Sequence, residues 1–334
     1  MVTNSVALQI LGTGEYVPDK RIESGEFDRR WNRPDGWTFA QTGVESRAHV
    51  GPGETCVSMG VEAARGALAR AGLSPSDLDA VVSVSSVGYQ AIPCTAVLVH
   101  RELGIEDSGI PAFDINATCL GFLTALDLIA PSLATGRMRH VLIVTGEVPS
   151  KGLNSDDEKT AALFGDGAGA VVIGLARETG TRLRGSLIRT FSSGSRLCEL
   201  RAGGTGLSPR ESPQEFLAGT YFEMSGRSIY RLAATLMPQF FADLMSSADT
   251  RAEDIDVWVP HQASGKAIQH LQTVLGLSND RVVNTLVTHG NQVSASMPIA
   301  LHRGIASGRI TRGKRVALIG TGAGLSLGGA VLQF

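Results

Sequence analysis

Apolar residues in the 334-residue chain come in short dense runs, separated by segments with a helical period. Val6 to Leu11, Ala80-Val81-Val82-Ser83-Val84, Ala112 to Ile115, His140 to Thr145 and Ala170-Val171-Val172-Ile173 read as strands. Near-continuous β-branched runs of this kind belong to sheets covered on both faces. Between them, Thr55 to Ala71 predicts a helix with Thr55 as N-cap and Gly72 as its stop. Cys94 to Leu103 predicts a second helix, and the stretch from Cys119 to about Leu133 a third, with Gly136 after it.

The second half of the pattern repeats the first. Asp77-Leu78-Asp79 before Ala80-Val81-Val82 has a counterpart in Asp254-Ile255-Asp256 before Val257-Trp258-Val259. Gly136 and the run Arg139 to Gly146 match Gly308 and the run Lys314 to Gly320. Gly165-Asp166-Gly167-Ala168-Gly169 matches Gly320-Thr321-Gly322-Ala323-Gly324, and each precedes a small, apolar strand. Three landmarks in the same order argue for a duplication. The predicted halves are 1–178 and 179–334, with the pattern interrupted near 175–185 by Arg177-Glu178 and Gly180. Residues 190–220, rich in Ser, Gly, Pro and charge, read as an insertion or surface loop.

Composition narrows the function classes. Hydrophobic residues make up 43% and charged residues 19%, with 40 glycines, which suits tightly packed α/β structure. A formal net charge of −2 gives no basic field for nucleic acid or a membrane surface. Cys56, Cys94, Cys119 and Cys198 form no CxxC pair and no metal-ligand spacing with histidine, so a reducing cytoplasm without structural zinc is the expectation. The N-terminus carries no signal-peptide pattern, and the apolar runs are strand-sized, so no membrane span is expected.

Three residues stand where chemistry could occur. Cys119 follows a strand and opens a helix, where unpaired N–H groups favour a thiolate, so its pKa is expected below the free value of about 8.5. The alternative is a small buried core cysteine. The small residues around it and Gly121 leave room for a substrate beside the sulfur. His261 follows the strand Val257-Trp258-Val259, in a strand-end loop where open α/β proteins place their sites, although single histidines are usually structural. Asn291, in Gly290-Asn291-Gln292-Val293-Ser294, is either a turn or cap residue or an amide donor aimed at a carbonyl oxygen. The glycine clusters match no nucleotide-binding motif; close backbone approach is the expected role, with an N–H near 322–324 offered to an oxyanion.

Taken together, Cys119, His261 in Val259-Pro260-His261-Gln262-Ala263 and Asn291 in Gly290-Asn291 resemble the Cys-His-Asn triad of the 3-oxoacyl-[acyl-carrier-protein] synthase III family. Thr42-Gly43-Val44, Phe164 to Ala170 and the Gly322–Gly329 segment extend the resemblance from about residue 6 to Phe334. It implies a thiolase fold, five-layered αβαβα from two duplicated halves, a homodimer, and an acyltransferase using neither metal nor cofactor. Acyl-CoA would acylate Cys119; a malonyl thioester, on acyl carrier protein or CoA, would then lose CO2, with His261 and Asn291 stabilising the enolate. The N–H groups of Cys119 and the Ala323–Gly324 turn would form the oxyanion hole. Trp37, Thr42, Ser264 and Lys266 would contact CoA or the acceptor. Departures from the family pattern include Glu158 and Lys159 near the position of an adenine-stacking arginine, Gln41, Ser264, Lys266 and Ala323. Gly146-Glu147-Val148 and Ser294-Ala295-Ser296 look closer to specialised secondary-metabolism relatives. Ser264 and Lys266 leave acyl transfer to oxygen or nitrogen, without CO2 loss, as the alternative.

Overall fold

The computed structural model describes residues 5–176 and 180–334. Arg177 and Glu178, where the sequence places the change from one half to the next, lie outside the described residues, as do Thr179 and residues 1–4.

Two sheets organise the chain. The first has five strands, β1 (Leu8–Tyr16), β2 (Ala80–Ser83), β3 (Ala112–Asp114), β4 (His140–Glu147) and β5 (Gly167–Leu175), in the order β1-β5-β4-β2-β3. The second has β6 (Arg182–Thr190), β7 (Val257–Pro260), β8 (Arg315–Gly322) and β9 (Ser326–Gln333), in the order β7-β8-β9-β6. A single parallel bridge from Trp258 to Val282 stands where the second sheet would take a fifth strand. In both sheets the first two strands in sequence after the outer one pair parallel, and the last two are antiparallel.

The layers follow from which faces are apolar. Helices α1 (Cys56–Ala71) and α2 (Thr95–Glu102) cover the outer face of the first sheet through Met59, Ala63, Val99, Val81, Leu142 and Val172. Helices α4 (Gly226–Ser247) and α5 (Gly265–Leu275) cover the outer face of the second, with Phe240, Leu244 and Ile268 against Trp258, Ala317 and Val331. Between the sheets lie α3 (Gly121–Ala134) and α6 (Ser296–Ala306), buried by Val82, Ile143 and Val171 on one side and Val259, Leu318 and Ala330 on the other. The architecture is the five-layered αβαβα thiolase fold.

The repeat extends to single hydrogen bonds. Asp79 accepts the Arg139 and His140 N–H groups at 2.7 and 3.0 Å, and Asp256 accepts the Arg315 N–H at 2.7 Å. Each aspartate therefore clips one parallel strand to the start of its neighbour. Val6 and Leu183 exchange two backbone hydrogen bonds of 2.9 Å and join the halves edge to edge.

The helix predicted at 55–71 is found as expected: Thr55 accepts the Ser58 N–H at 3.0 Å, and Gly72 ends it at φ 67°. The first strand runs five residues further than predicted, to Tyr16. Gly12 and Gly14 do not break it; they let α1 press against it, because a Cβ on either would lie 2.1 Å from a backbone oxygen of Ala67 or Ala63. Residues 191–199, expected as part of a surface loop, pack against the turn at Leu325: Phe191 donates to the Leu325 carbonyl at 2.7 Å, and Gly194 abuts Leu325.

Gly12→Ala should thus destabilise the protein by about 1–3 kcal/mol, the range for forcing atoms into a packed interior. Leu128→Ala, at a 57% exposed position of α3, should stay within about 0.5 kcal/mol. Urea unfolding followed by circular dichroism measures both, and equal losses would contradict the close approach of α1 to β1.

Candidate active site

Two strained turns carry Cys119 and Ser294. Each middle helix is entered through a turn of 3-10 helix, Thr118–Leu120 before α3 and Val293–Ala295 before α6. The first residue of each is β-branched with positive φ, 50° at Thr118 and 51° at Val293. Such a backbone costs on the order of 1–3 kcal/mol and persists only where its surroundings hold it. An asparagine holds each turn in the same way: Asn116 Oδ1 accepts the Thr118 N–H at 3.0 Å, and Asn291 Oδ1 accepts the Val293 N–H at 2.9 Å. Their amide groups donate to equivalent carbonyls, Ser86 at 2.9 Å and Ala263 at 3.3 Å. Cys119 and Ser294 are thus twins in the two halves, and the turns that carry them pack together.

Asn291 is a turn residue and remains available as a donor. Because Val293 N–H fixes which end of the amide is oxygen, Nδ2 faces away from the turn, and one of its two hydrogens is left beyond the long bond to Ala263. His261 is 5% exposed at the end of β7, its N–H bonded to Ile319 O at 2.8 Å, and its Nδ1 has no partner among the described residues. Burial pushes the imidazole down to about 4, so it is neutral at pH 7. Gly320 brings it towards the nucleophile's turn: a Cβ there would lie 2.7 Å from His261 Cβ and 3.4 Å from Leu120 Cδ2.

Cys119 keeps partial solvent access, and its sulfur meets the N–H groups of Ala323 and of Cys119 itself. The expected depression of its pKa does not occur. Burial, then the neighbouring Cys198 and Glu147, push the thiol up to about 12, outweighing both N–H groups. The helix proper starts only at Gly121, two positions beyond the sulfur. Gly121 also serves another end than expected. A Cβ there would lie 2.7 Å from Val84 O, so the glycine admits α3 to the sheet rather than making room for substrate.

The remaining predicted positions separate. Ala323 supplies the N–H at the sulfur, while Gly324, at φ 135°, shapes the turn. Trp37 lies on the short helix Trp37–Thr42 under the Arg33 guanidinium, 4.9 Å from its ring; Arg33 in turn makes an ion pair of 2.9 Å with Glu158. Thr42 is buried with its hydroxyl spent inside its own helix, donating to Thr38 O at 2.8 Å and accepting the Val44 N–H at 3.1 Å. Its O–H is not free to donate to a ligand, and the neighbouring Gly43 seats against Gly265 at the start of α5. Ser264 caps that helix, accepting the Ala267 N–H at 3.2 Å, and Lys266 is exposed on its first turn.

Two residues escaped the sequence reading of the site. Gln262, wholly buried, donates to Pro260 O and Val283 O and accepts from Thr285 N–H and Leu286 N–H, tying the His261 loop to the segment that leads to Asn291. Glu147, 3% exposed at the end of β4, accepts the Ser86 N–H at 2.6 Å and the Ser294 hydroxyl at 2.5 Å, and burial pushes it up to about 7. The 165–169 glycines are seats for the Asn291 loop: Gly165 faces His289 O, Gly167 the Gln292 side chain and Gly169 Pro298.

A half-buried thiol beside an N–H pair, with a neutral imidazole and an amide on nearby loops of a thiolase fold, is the arrangement of a condensing enzyme. The family model described as 3-Oxoacyl-[acyl-carrier-protein (ACP)] synthase III matches residues 113–191, and that of its C terminal matches residues 245–334. Beta-ketoacyl-[acyl-carrier-protein] synthase III of Neisseria gonorrhoeae is 34% identical over 98% of this chain and 99% of its own, and that of Roseobacter denitrificans 36% over 97% and 98%. The crystal structure of 3-oxoacyl-[acyl-carrier-protein] synthase III from Aquifex aeolicus superposes with a TM-score of 0.88 at 30% identity, covering 98% of this chain and 100% of that one. A priming β-ketosynthase of a polyketide pathway gives 0.88 at 30% identity, over 99% and 98%. The chain belongs to the 3-oxoacyl-[acyl-carrier-protein] synthase III family. It is an acyltransferase-type enzyme of decarboxylative Claisen condensation, and the alternative of transfer to oxygen or nitrogen is not favoured.

Iodoacetamide should alkylate Cys119 slowly at pH 7 and about tenfold faster per pH unit up to at least pH 9, because a raised pKa leaves the thiol protonated below it. Intact-mass measurement of the alkylated fraction checks this. A rate that levels off below pH 8.5 would contradict the burial argument.

Proposed function

We propose that the protein joins an acyl group from acyl-CoA to a malonyl thioester carried by acyl carrier protein, with Cys119, His261 and Asn291 in direct contact with the reacting groups. The observation that carries this reading is one sulfur under the Ala323 N–H with two neutral donors on neighbouring loops, all on residues that are partly or wholly buried.

The steps follow from where charge develops. In the first, the Cys119 sulfur attacks the acyl-CoA carbonyl, the C–S bond to CoA breaks, and the thiol proton leaves with CoA. The N–H groups of Ala323 and Cys119, both at the sulfur, suit the oxyanion of that addition. In the second, the malonyl carboxylate leaves as CO2 and its electron pair becomes an enolate. A cationic imidazole would hold the malonyl carboxylate itself and resist its loss, whereas a neutral one favours the enolate oxygen, where charge is created. The carbanion then attacks acyl-Cys119, the 3-oxoacyl product departs, and the sulfur takes up a proton.

Substrate contacts outside the reacting centre are part of the same reading. Trp37 with Arg33 over its ring, and Lys266 with the capping Ser264, belong to two helix starts whose helices meet at Gly43 and Gly265, and we assign them to CoA and acceptor. A homodimer is supported by Val87, Tyr89 and Ile92, exposed at 57%, 51% and 87% in one loop close to the turn of Cys119. No described helix is long and apolar enough to cross a membrane. With four unpaired cysteines, one of them the nucleophile, we place the enzyme in the reducing cytoplasm, with no cofactor or metal in its cycle.

Incubation with an acyl-CoA should add the acyl mass to Cys119 and to no other residue, and Cys119→Ala should abolish the adduct. His261→Ala and Asn291→Ala should keep acylation but lose about 10²–10³-fold in CO2 release from malonyl thioester, the usual effect of removing one donor from an oxyanion. An unmodified mass with every acyl-CoA tried would overturn the assignment.

A further inference from the structure

The twin of the nucleophile has been put to a different use. Ser294 occupies in the second half the place of Cys119 in the first, on the same kind of strained turn, yet it is wholly buried and cannot meet a substrate. Its hydroxyl donates to Glu147 Oε1 and is met at 2.5 Å by the Thr145 hydroxyl, a chain running from β4 into the Asn291 loop. Glu147 Oε1 is itself anchored by the Ser86 N–H at 2.6 Å, and Ser86 is also the residue whose carbonyl receives the amide of Asn116. One buried carboxylate oxygen therefore connects the turn beneath Cys119 to the turn beside Asn291.

We infer that Glu147 is a positioning residue for the condensation: through Ser294 it holds the strained Val293 turn in place, and that turn holds the Asn291 amide at the substrate. The turn has other ties besides this one. Val293 N–H goes to Asn291 Oδ1, Gln292 N–H to Ser296 Oγ at 2.9 Å, and Gln292 Nε2 to Asp166 O at 2.9 Å. The first two bonds are local; the bond to Asp166, the Thr145 hydroxyl on Ser294 and the Ser294–Glu147 bond tie the turn to the first sheet, and the last of these runs through the oxygen that also accepts the Ser86 N–H. The carboxylate is not bonded to the Cys119 sulfur, so it acts on the reaction through Asn291. Its charge is felt by Cys119 and by Cys56 on α1, the titratable groups that face it.

The inference rests on the condensation assigned above, and three variants separate the two. Glu147→Gln keeps the oxygen that accepts from Ser86 and Ser294, while Glu147→Ala and Ser294→Ala break the tie from either end. Each is mixed with acyl-CoA to measure acylation of Cys119 by intact mass, then with malonyl thioester to measure CO2. Glu147→Ala and Ser294→Ala should acylate within about twofold of wild type and release CO2 at least about tenfold more slowly, the loss expected when an oxyanion donor is displaced. Glu147→Gln should restore CO2 release to within about threefold, since the hydrogen bonds and not the charge do the holding. Wild-type CO2 release in Ser294→Ala, which removes one oxygen and threatens folding least, would overturn the inference, as would a Glu147→Gln enzyme as slow as Glu147→Ala. Wild-type protein that takes up no acyl group from any acyl-CoA would instead overturn the assigned condensation.

Discussion

Everything at the site depends on two buried helices that must start at the same place. α3 and α6 share the core between the sheets, and their N-terminal turns pack against each other. The chain meets this constraint with a strained β-branched residue ahead of each helix and an asparagine that absorbs the freed N–H. Glycines do the rest. Gly320, Gly322 and the 165–169 run are positions where a methyl group would collide with the backbone or side chains of the opposite loop.

That packing also sets the electrostatics. A cysteine on an open helix end would be acidic, but this one is enclosed beside Cys198 and Glu147, and burial prevails over the two N–H groups aimed at it. The same burial keeps His261 uncharged. A resting site with a protonated thiol and a neutral imidazole carries little charge of its own, so charge created during the reaction is the charge its dipoles respond to.

The duplication gives the enzyme its asymmetry as well as its shape. The same Asx-type bond and the same 3-10 turn occur twice, but one copy carries a half-buried thiol and the other buries a hydroxyl against a carboxyl group.

Much of this was legible in the chain. β-branched runs and capped helical segments gave the strand and helix order, since local burial and capping dominate those choices, and the repeated Asp-Leu/Ile-Asp and glycine landmarks gave the two similar halves. Strand ends and helix starts singled out Cys119, His261 and Asn291 as candidates, and their joint resemblance to a family triad gave them roles. Other features had no local signature. Gly12 and Gly14 look like strand breakers until α1 is packed on them, and Thr42 looks like a ligand until its hydroxyl is seen spent on Thr38 and Val44. The acidity of Cys119 and the tie between Glu147 and Ser294, 147 residues apart, depend on how deeply and against what each group is buried. Sequence determines which groups are present and in what local geometry; only the tertiary structure decides which lose water together, and with it their charge.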